Sequence, residues 1–212
     1  MTTAVLTHHT APTTDTDWAR RSACTAESAD DFFGTTAAAE ARAREVCRTC
    51  PVRIQCLTDR RVLDADDDGT GGVLGGLSAT QRRILATAEL LGERPDLGRA
   101  NELLTPRWRY RLHKLRIAAA GPQRMAEILT AEGLEVDTIT VRVALWWTGA
   151  DGKVVARRVR GDRRPLWQRL REDHGDVIAG LLARGTRHID GADYLGVRVG
   201  TYSRAAQELK TA

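Results

Sequence analysis

Four cysteines constrain this 212-residue chain more than any other feature, because all of them lie within 33 residues. Cys24, Cys47, Cys50 and Cys56 follow the spacing C-x22-C-x2-C-x5-C. The first ten residues lack a basic region followed by an apolar core, which predicts a cytoplasmic protein without a signal peptide. In a reducing compartment, such a set of thiols binds metal more often than it forms disulfides. We therefore expect a four-thiolate metal centre.

The spacing of the cysteines also indicates which metal group they hold. Zinc and iron–sulfur clusters both accept four thiolates, but structural zinc sites usually contain two C-x2–4-C pairs. This chain has one such pair, Cys47 and Cys50, which favours a cluster and leaves structural zinc as the alternative. Trp18, Phe32 and Phe33 lie near or between the first two cysteines. They would shield a cluster from water and oxidants, or simply form a small core.

Other short motifs accompany the cysteines between about residues 15 and 85. They are Asp17-Trp18, Cys24, Asp31-Phe32-Phe33, Cys47-Arg-Thr-Cys50-Pro51-Val52, Cys56-Leu57, Gly72-Val73-Leu74-Gly75-Gly76 and Arg82-Arg83. Together they resemble the WhiB-like proteins of actinobacteria and their phages. The resemblance implies a transcription regulator whose four cysteines hold a [4Fe–4S] cluster sensitive to oxygen and nitric oxide. It also implies binding to the C-terminal region of the primary sigma factor.

The same resemblance suggests which residues contact partners. We assign two of them to DNA, Arg82 and Arg83. We assign five to a protein partner: Trp18, Phe32, Phe33, Val73 and Leu74. The family usually has Trp at the position of Leu74, and this departure weakens the inference of sigma binding.

Charge and composition divide the chain into parts of a mainly α fold. Residues 1–80 carry 8 Lys+Arg and 12 Asp+Glu, whereas residues 81–212 carry 24 and 16. The basic part would be attracted to a phosphate backbone, unless its charge is only a solvated surface. We expect a disordered tail at 1–14, a cluster-binding domain at 15–90, a linker at 91–100 and a helical DNA-binding region at 101–212.

Residues 188–207 fit the spacing of small, apolar and glycine positions in a helix-turn-helix. The pattern positions are Ala192, Leu195, Gly196, Val197, Thr201, Tyr202 and Ala205. The outward positions, available to phosphates or base edges, are Arg198, Ser203, Arg204 and Gln207. The alternative is an ordinary helical hairpin.

Other parts of the basic region allow two interpretations each. Residues 138–147 follow Asp137, a potential helix cap, but their alternating apolar residues also suit a strand. Residues 151–160 contain a possible hairpin or basic wing. The segment Trp108 to Arg116 predicts a basic helix that either lies on DNA or is merely solvated. We expect Trp146, Trp147 and Trp167 to be core residues.

The sequence contains no phosphate loop, nucleophile elbow or HExxH motif, and its C-x2-C pair lacks the βαβ context of a disulfide reductase. These observations predict a protein that is not an enzyme. No run of residues approaches the ~18 apolar residues of a membrane span. The two functions that remain are a cluster-containing transcription regulator and a zinc-stapled DNA-binding protein without redox sensing.

Overall fold

The computed structural model describes residues 16–24, 29–34, 36–59, 72–150 and 162–210, and these ranges contain helices and no strand. A 3-10 helix at Thr16–Arg21 precedes α1 (Ala29–Phe33), α2 (Ala37–Thr49), α3 (Arg53–Thr58), α4 (Ala79–Leu90), α5 (Leu97–Glu102), α6 (Pro106–Ile117), α7 (Pro122–Ala131), α8 (Thr138–Trp147), α9 (Leu166–Ala183), α10 (His188–Leu195) and α11 (Val199–Lys210). The mainly α prediction is confirmed. The expected tail at 1–14 and the hairpin or wing at 151–160 lie outside the described residues.

Side-chain caps begin four of the described helices, at Thr36, Ser78, Asp96 and Asp137. The Thr36 side chain accepts a hydrogen bond from an N–H in the first turn of α2, and Ser78 forms a capping box with Gln81 at α4. The Asp137 carboxylate accepts from the N–H of Thr140 at 2.7 Å. Each cap satisfies backbone donors that have no partner inside the helix. Residues 138–147 are therefore a helix and not the alternative strand.

A single apolar core joins α3 and α4 to the helices that follow. Helix α8 lies at its centre, because every residue from Ile139 to Trp147 is buried. It packs against α4, α5 and α7, while α4 also packs against α10, and α11 packs against α9 and α10. The core continues through residues 91–100, where we expected a linker, since Ala100 of α5 is fully buried. None of the described helices is long and apolar enough to cross a membrane.

A second, smaller core lies beside the cysteines. Phe32 of α1, Ala43 and Cys47 of α2, and Val73 are buried together. The N–H of Val73 donates to the carbonyl oxygen of Phe32 at 2.8 Å, which holds the glycine-rich segment against α1. Cys47 therefore lies in an apolar environment.

Candidate metal centre

Three of the four cysteines lie where the chain turns from α2 into α3. Cys47 is in the last turn of α2, and Cys50 is its C-terminal cap, with an N–H that donates to the Cys47 carbonyl at 3.2 Å. Pro51 and Val52 then form a turn, and α3 begins at Arg53. Cys56 follows on α3.

Cys24 reaches this turn from the 3-10 helix at the start of the described chain. The N–H of its neighbour Ala23 lies 3.5 Å from the Cys50 sulfur. Burial is the main cause that raises the pKa values of Cys47 and Cys56, and Cys24 and Cys50 add a smaller electrostatic effect in the same direction. Among the described residues, no group of three Cys, His, Asp or Glu side chains meets the geometry for holding a metal ion.

Burial controls the protonation of the two inner cysteines. It raises the pKa of Cys47 to about 11, against the opposing effects of the Gly76 N–H and the Arg53 guanidinium. Burial, followed by the charge of Cys47, raises the pKa of Cys56 to about 12, and the Gly75 N–H opposes this shift. Both thiols are therefore protonated at neutral pH when no metal is bound, and a metal group must displace their protons.

Two consecutive glycines shape the wall of the site. Gly75 and Gly76 have φ values of 56° and 79°, in the left-handed region that favours glycine. A Cβ atom on Gly75 would lie 2.4 Å from the Leu57 side chain. Leu74 and Leu77 close the turn by exchanging two backbone hydrogen bonds of 3.0 Å. The turn can therefore approach α3 closely and direct its N–H groups at the sulfurs.

Trp147 of α8 binds the opposite side of the same turn. Its indole N–H donates to the buried Gly75 carbonyl at 2.9 Å. The Arg53 guanidinium lies 4.0 Å from the centroid of the Trp147 ring and donates to the Asn101 side chain at 2.6 Å. Arg44 donates to the carbonyls of Gly76 at 3.1 Å and of Trp146 at 3.4 Å. The C-terminal half of the protein is thus attached to the cysteine site.

Sequence reasoning placed Trp147 in the core, which is correct, but missed its contact with the turn. It also missed Arg53, which is 7% exposed and lies between two of the cysteines in sequence. The one sequence signal for a role of Arg53 at the site is its position three residues after Cys50. No local pattern indicates the contact of Trp147 with Gly75, because the two residues are 72 positions apart.

The five residues assigned to a protein partner differ in their exposure. Phe32 and Val73 are buried in the small core, which leaves little of their surface for a partner. Phe33 is 60% exposed, whereas Trp18 and Leu74 are half-buried. Of these five residues, Phe33 therefore has the most exposed area for a protein partner, and Trp18 and Leu74 have some.

Arg82 is not on the surface, although we assigned it to DNA. It is fully buried, and its guanidinium donates to the carbonyls of Gly72 and Leu77, both at 2.9 Å. A phosphate cannot reach the buried Arg82 guanidinium, which already donates hydrogen bonds to carbonyls of the glycine-rich segment. The assignment of Arg82 to DNA contact is therefore wrong for this structure.

Arg83 is partly exposed but already paired with acidic groups. Its guanidinium lies 3.8 Å from the Asp190 carboxylate and 3.4 Å from the Asp193 carboxylate. These pairs connect α4 to α10. Arg83 therefore joins two helices, and a phosphate would have to compete with two carboxylates for it.

Helices α10 and α11 meet at a left-handed glycine, as the helix-turn-helix pattern requires. Gly196 has φ 70°, and Ala192, Leu195, Tyr202 and Ala205 are buried. An ordinary helical hairpin can share these properties, so the helix-turn-helix stays a prediction.

The four outward residues of this helix pair are not equally available. Arg198, Arg204 and Gln207 are exposed, whereas Ser203 is partly buried. The Ser203 hydroxyl is hydrogen-bonded to His188 Nδ1 at 2.9 Å, and the Arg204 guanidinium lies 4.4 Å from the centroid of the Trp167 ring.

Comparison with protein families gives one match: residues 18–85 fit the model of the family described as Transcription factor WhiB. The match contains all four cysteines, the small core and the glycine turn, and it ends within α4. Searches of curated proteins and of solved structures found no match.

Proposed function

We propose that this chain, whose residues 18–85 match the family described as Transcription factor WhiB, is a WhiB-like protein that regulates transcription in response to redox state or nitric oxide. In this proposal Cys24, Cys47, Cys50 and Cys56 hold a [4Fe–4S] cluster. The protein acts through DNA and through the C-terminal region of the primary sigma factor.

The observation that carries the proposal is that three thiols lie on one turn and the segment bearing the fourth contacts it. Cys47, Cys50 and Cys56 lie on the α2–α3 connection, and the N–H group beside Cys24 contacts the Cys50 sulfur. Four thiolates are the donor set that a [4Fe–4S] cluster requires, so the residues present fit the group. When bound, the cluster supplies a centre that accepts electrons and reacts with oxygen or nitric oxide.

Nearby groups partly offset the effect of burial on the cysteines and so help to stabilise thiolates. The backbone N–H groups of Gly76 and Gly75 act to lower the pKa values of Cys47 and Cys56, against the larger effect of burial. The buried guanidinium of Arg53 adds a positive charge close to Cys47 and Cys50. Hydrogen bonds and positive charge near the sulfurs stabilise a negatively charged centre and raise its reduction potential.

Exposed residues around the site and on the C-terminal helices would contact the partners. Phe33 is the most exposed large apolar side chain near the cysteines, and Trp18 and Leu74 contribute partly exposed area beside it. We assign this area to the sigma factor. Arg198, Arg204 and Gln207 are the exposed ones among the four outward residues predicted on α10 and α11, and we assign them to DNA.

The first experiment identifies the metal group. The full chain is purified without oxygen and analysed for iron, sulfide and zinc, together with its visible absorption. We expect four iron and four sulfide per chain, about the composition of a [4Fe–4S] cluster. A matched Cys50→Ser variant should lose most of the iron. A colourless protein with one zinc per chain would support structural zinc and reject the cluster.

The second experiment tests the response and the partners. The cluster-loaded protein is compared before and after nitric oxide treatment in a pull-down with the sigma subunit and in binding to DNA fragments. We expect at least one of these interactions to change. A Phe33→Ser variant should weaken sigma capture without changing the iron content. Identical binding before and after treatment would reject the regulatory role.

A further inference from the structure

Helix α6 displays a strongly basic face that the metal centre does not use. Its sequence, PRWRYRLHKLRI, has Lys or Arg at five of 12 positions and no Asp or Glu. Trp108, Leu112 and Leu115 form its buried side. The packing of these three residues into the core directs the charged side chains toward solvent.

The exposed part of α6 has two basic rows. At 3.6 residues per turn, Arg109, His113 and Arg116 lie along one edge of the exposed face. Arg107 and Lys114 lie along the other edge, and all five are exposed. The rows are thus separated by roughly the width of a helix, about 10–12 Å with side chains.

Two large apolar side chains lie between the rows. Tyr110 is 62% exposed and Ile117 is 69% exposed. The Lys114 ammonium lies 5.4 Å from the centroid of the Tyr110 ring. Aromatic rings interleaved with cations are typical of surfaces that bind nucleic acid.

The cations of α6 are largely without acidic partners. Arg111 forms an ion pair with Glu132 across to the end of α7. In the described ranges, Arg109, Lys114 and Arg116 form no ion pair. Their charge is therefore not neutralised by neighbouring carboxylates and is available to an anionic partner.

One basic row also borders a cavity of about 140 Å³ at the end of α8. Arg109, His113 and Arg116 line it together with Leu145 and Thr148. Two guanidinium groups beside a small polar recess provide the charge and the donors that a phosphate group requires. The recess is thus suited to hold one phosphate of a polyanion.

We propose that α6 is a docking face for duplex DNA, with its two rows contacting phosphates on the two strands. The major groove is about 12 Å wide and admits an α-helix. In this arrangement Tyr110 and Ile117 face the floor of the groove. The inference rests on the proposed action at DNA, but it places the main phosphate contacts on α6 instead of on α10 and α11.

The test measures binding of a labelled mixed-sequence duplex of three helical turns by fluorescence anisotropy across a salt series. Each phosphate contact contributes about 0.9 to the slope of log affinity against log salt. Arg109→Gln combined with Arg116→Gln should lower the slope by about 1.8. If the non-electrostatic part of binding is unchanged, the affinity at about 0.1 M salt should fall roughly 60-fold.

A matched control removes the same charge elsewhere. Arg99→Gln combined with Arg124→Gln eliminates two exposed cations that are paired with Glu102 and Glu127. This variant should keep the wild-type slope. Thermal unfolding of each variant by circular dichroism verifies that the helices are retained.

The opposite row provides a second, independent variant. Arg107→Gln combined with Lys114→Gln should produce a comparable loss. Wild-type slopes in both double variants would overturn the inference while leaving the action at DNA intact. Failure of the wild-type protein to bind duplex would overturn both proposals, and tighter binding to single-stranded RNA than to duplex would overturn the assignment to duplex DNA.

Discussion

Trp147 connects the metal centre to the C-terminal helices, and this connection can be tested by removing a single hydrogen-bond donor, its indole N–H. The Trp147→Phe substitution keeps an aromatic ring under Arg53 but eliminates the indole N–H. The Gly75 carbonyl that accepts from it is buried, so it would have no replacement from water. An unsatisfied buried acceptor costs about 1–3 kcal/mol.

The expected effect on stability follows from this cost. For a domain of this size, 1 kcal/mol shifts Tm by about 2–4 °C. A central loss of about 2 kcal/mol in Trp147→Phe therefore predicts a decrease in Tm of about 4–8 °C. Trp147→Ala also removes the ring, which is 7% exposed, and should cost about 3–5 kcal/mol.

The assay is thermal unfolding of the reduced, metal-free protein, followed by far-UV circular dichroism. A second measurement follows the rate at which a chelator removes metal from the loaded protein. Because the Gly75 N–H also favours the Cys56 thiolate by lowering its pKa, a displaced turn should release metal faster than the wild type. Trp167→Phe serves as the control, since Trp167 stacks with Arg204 on α11.

Two results would refute this reasoning. If Trp147→Phe melts at the wild-type temperature, the hydrogen bond to Gly75 does not stabilise the fold. If Trp147→Phe is destabilised but releases metal at the wild-type rate, the turn does not couple α8 to the cysteines.

Four other predictions concern individual residues. Ser78→Ala removes a capping box and should destabilise the protein by about 1 kcal/mol in a melting experiment, whereas an unchanged Tm would show that the cap is dispensable. Arg82→Gln should lower Tm because its buried guanidinium bonds two carbonyls, and a folded variant with the wild-type Tm that binds DNA weakly would contradict this structural role. Burial lowers the pKa of His174 below 6.5, so the unfolded chain binds its proton first and stability should fall as the pH drops below about 6.5; His174→Gln should reduce this dependence. In metal-free protein, iodoacetamide should modify the exposed Cys24 first and the buried Cys47, with its pKa of about 11, much later, as peptide mass spectrometry can show; equal rates would exclude the described burial.

Local sequence signals were sufficient for the helix boundaries that side chains define. Asp137 precedes α8 and was recognisable as its cap, because a cap acts within three residues along the chain. The turn at Cys50 and the left-handed Gly196 were also predictable, since each depends on the conformational preferences of adjacent residues.

Features that depend on tertiary packing were not predictable in this way. Arg82 and Arg83 are neighbours of the same type, yet one is fully buried and the other is paired with α10. A helix separates adjacent residues by about 100° around its axis, and only the packing of α4 decides which of them faces inward. The contact of Trp147 with the glycine turn likewise depends on packing between segments that are distant in sequence.

The core that continues through α5 has a consequence for truncated forms of this chain. Leu57, Leu77, Ile84 and Leu85 all belong to the family-matched segment, yet they pack in the same core as the C-terminal helices. A polypeptide that stopped near residue 90 would expose these side chains as one apolar surface, which favours aggregation. The C-terminal half therefore covers apolar surface of the segment that carries the cysteines, and a substitution in this shared core affects the packing of both halves.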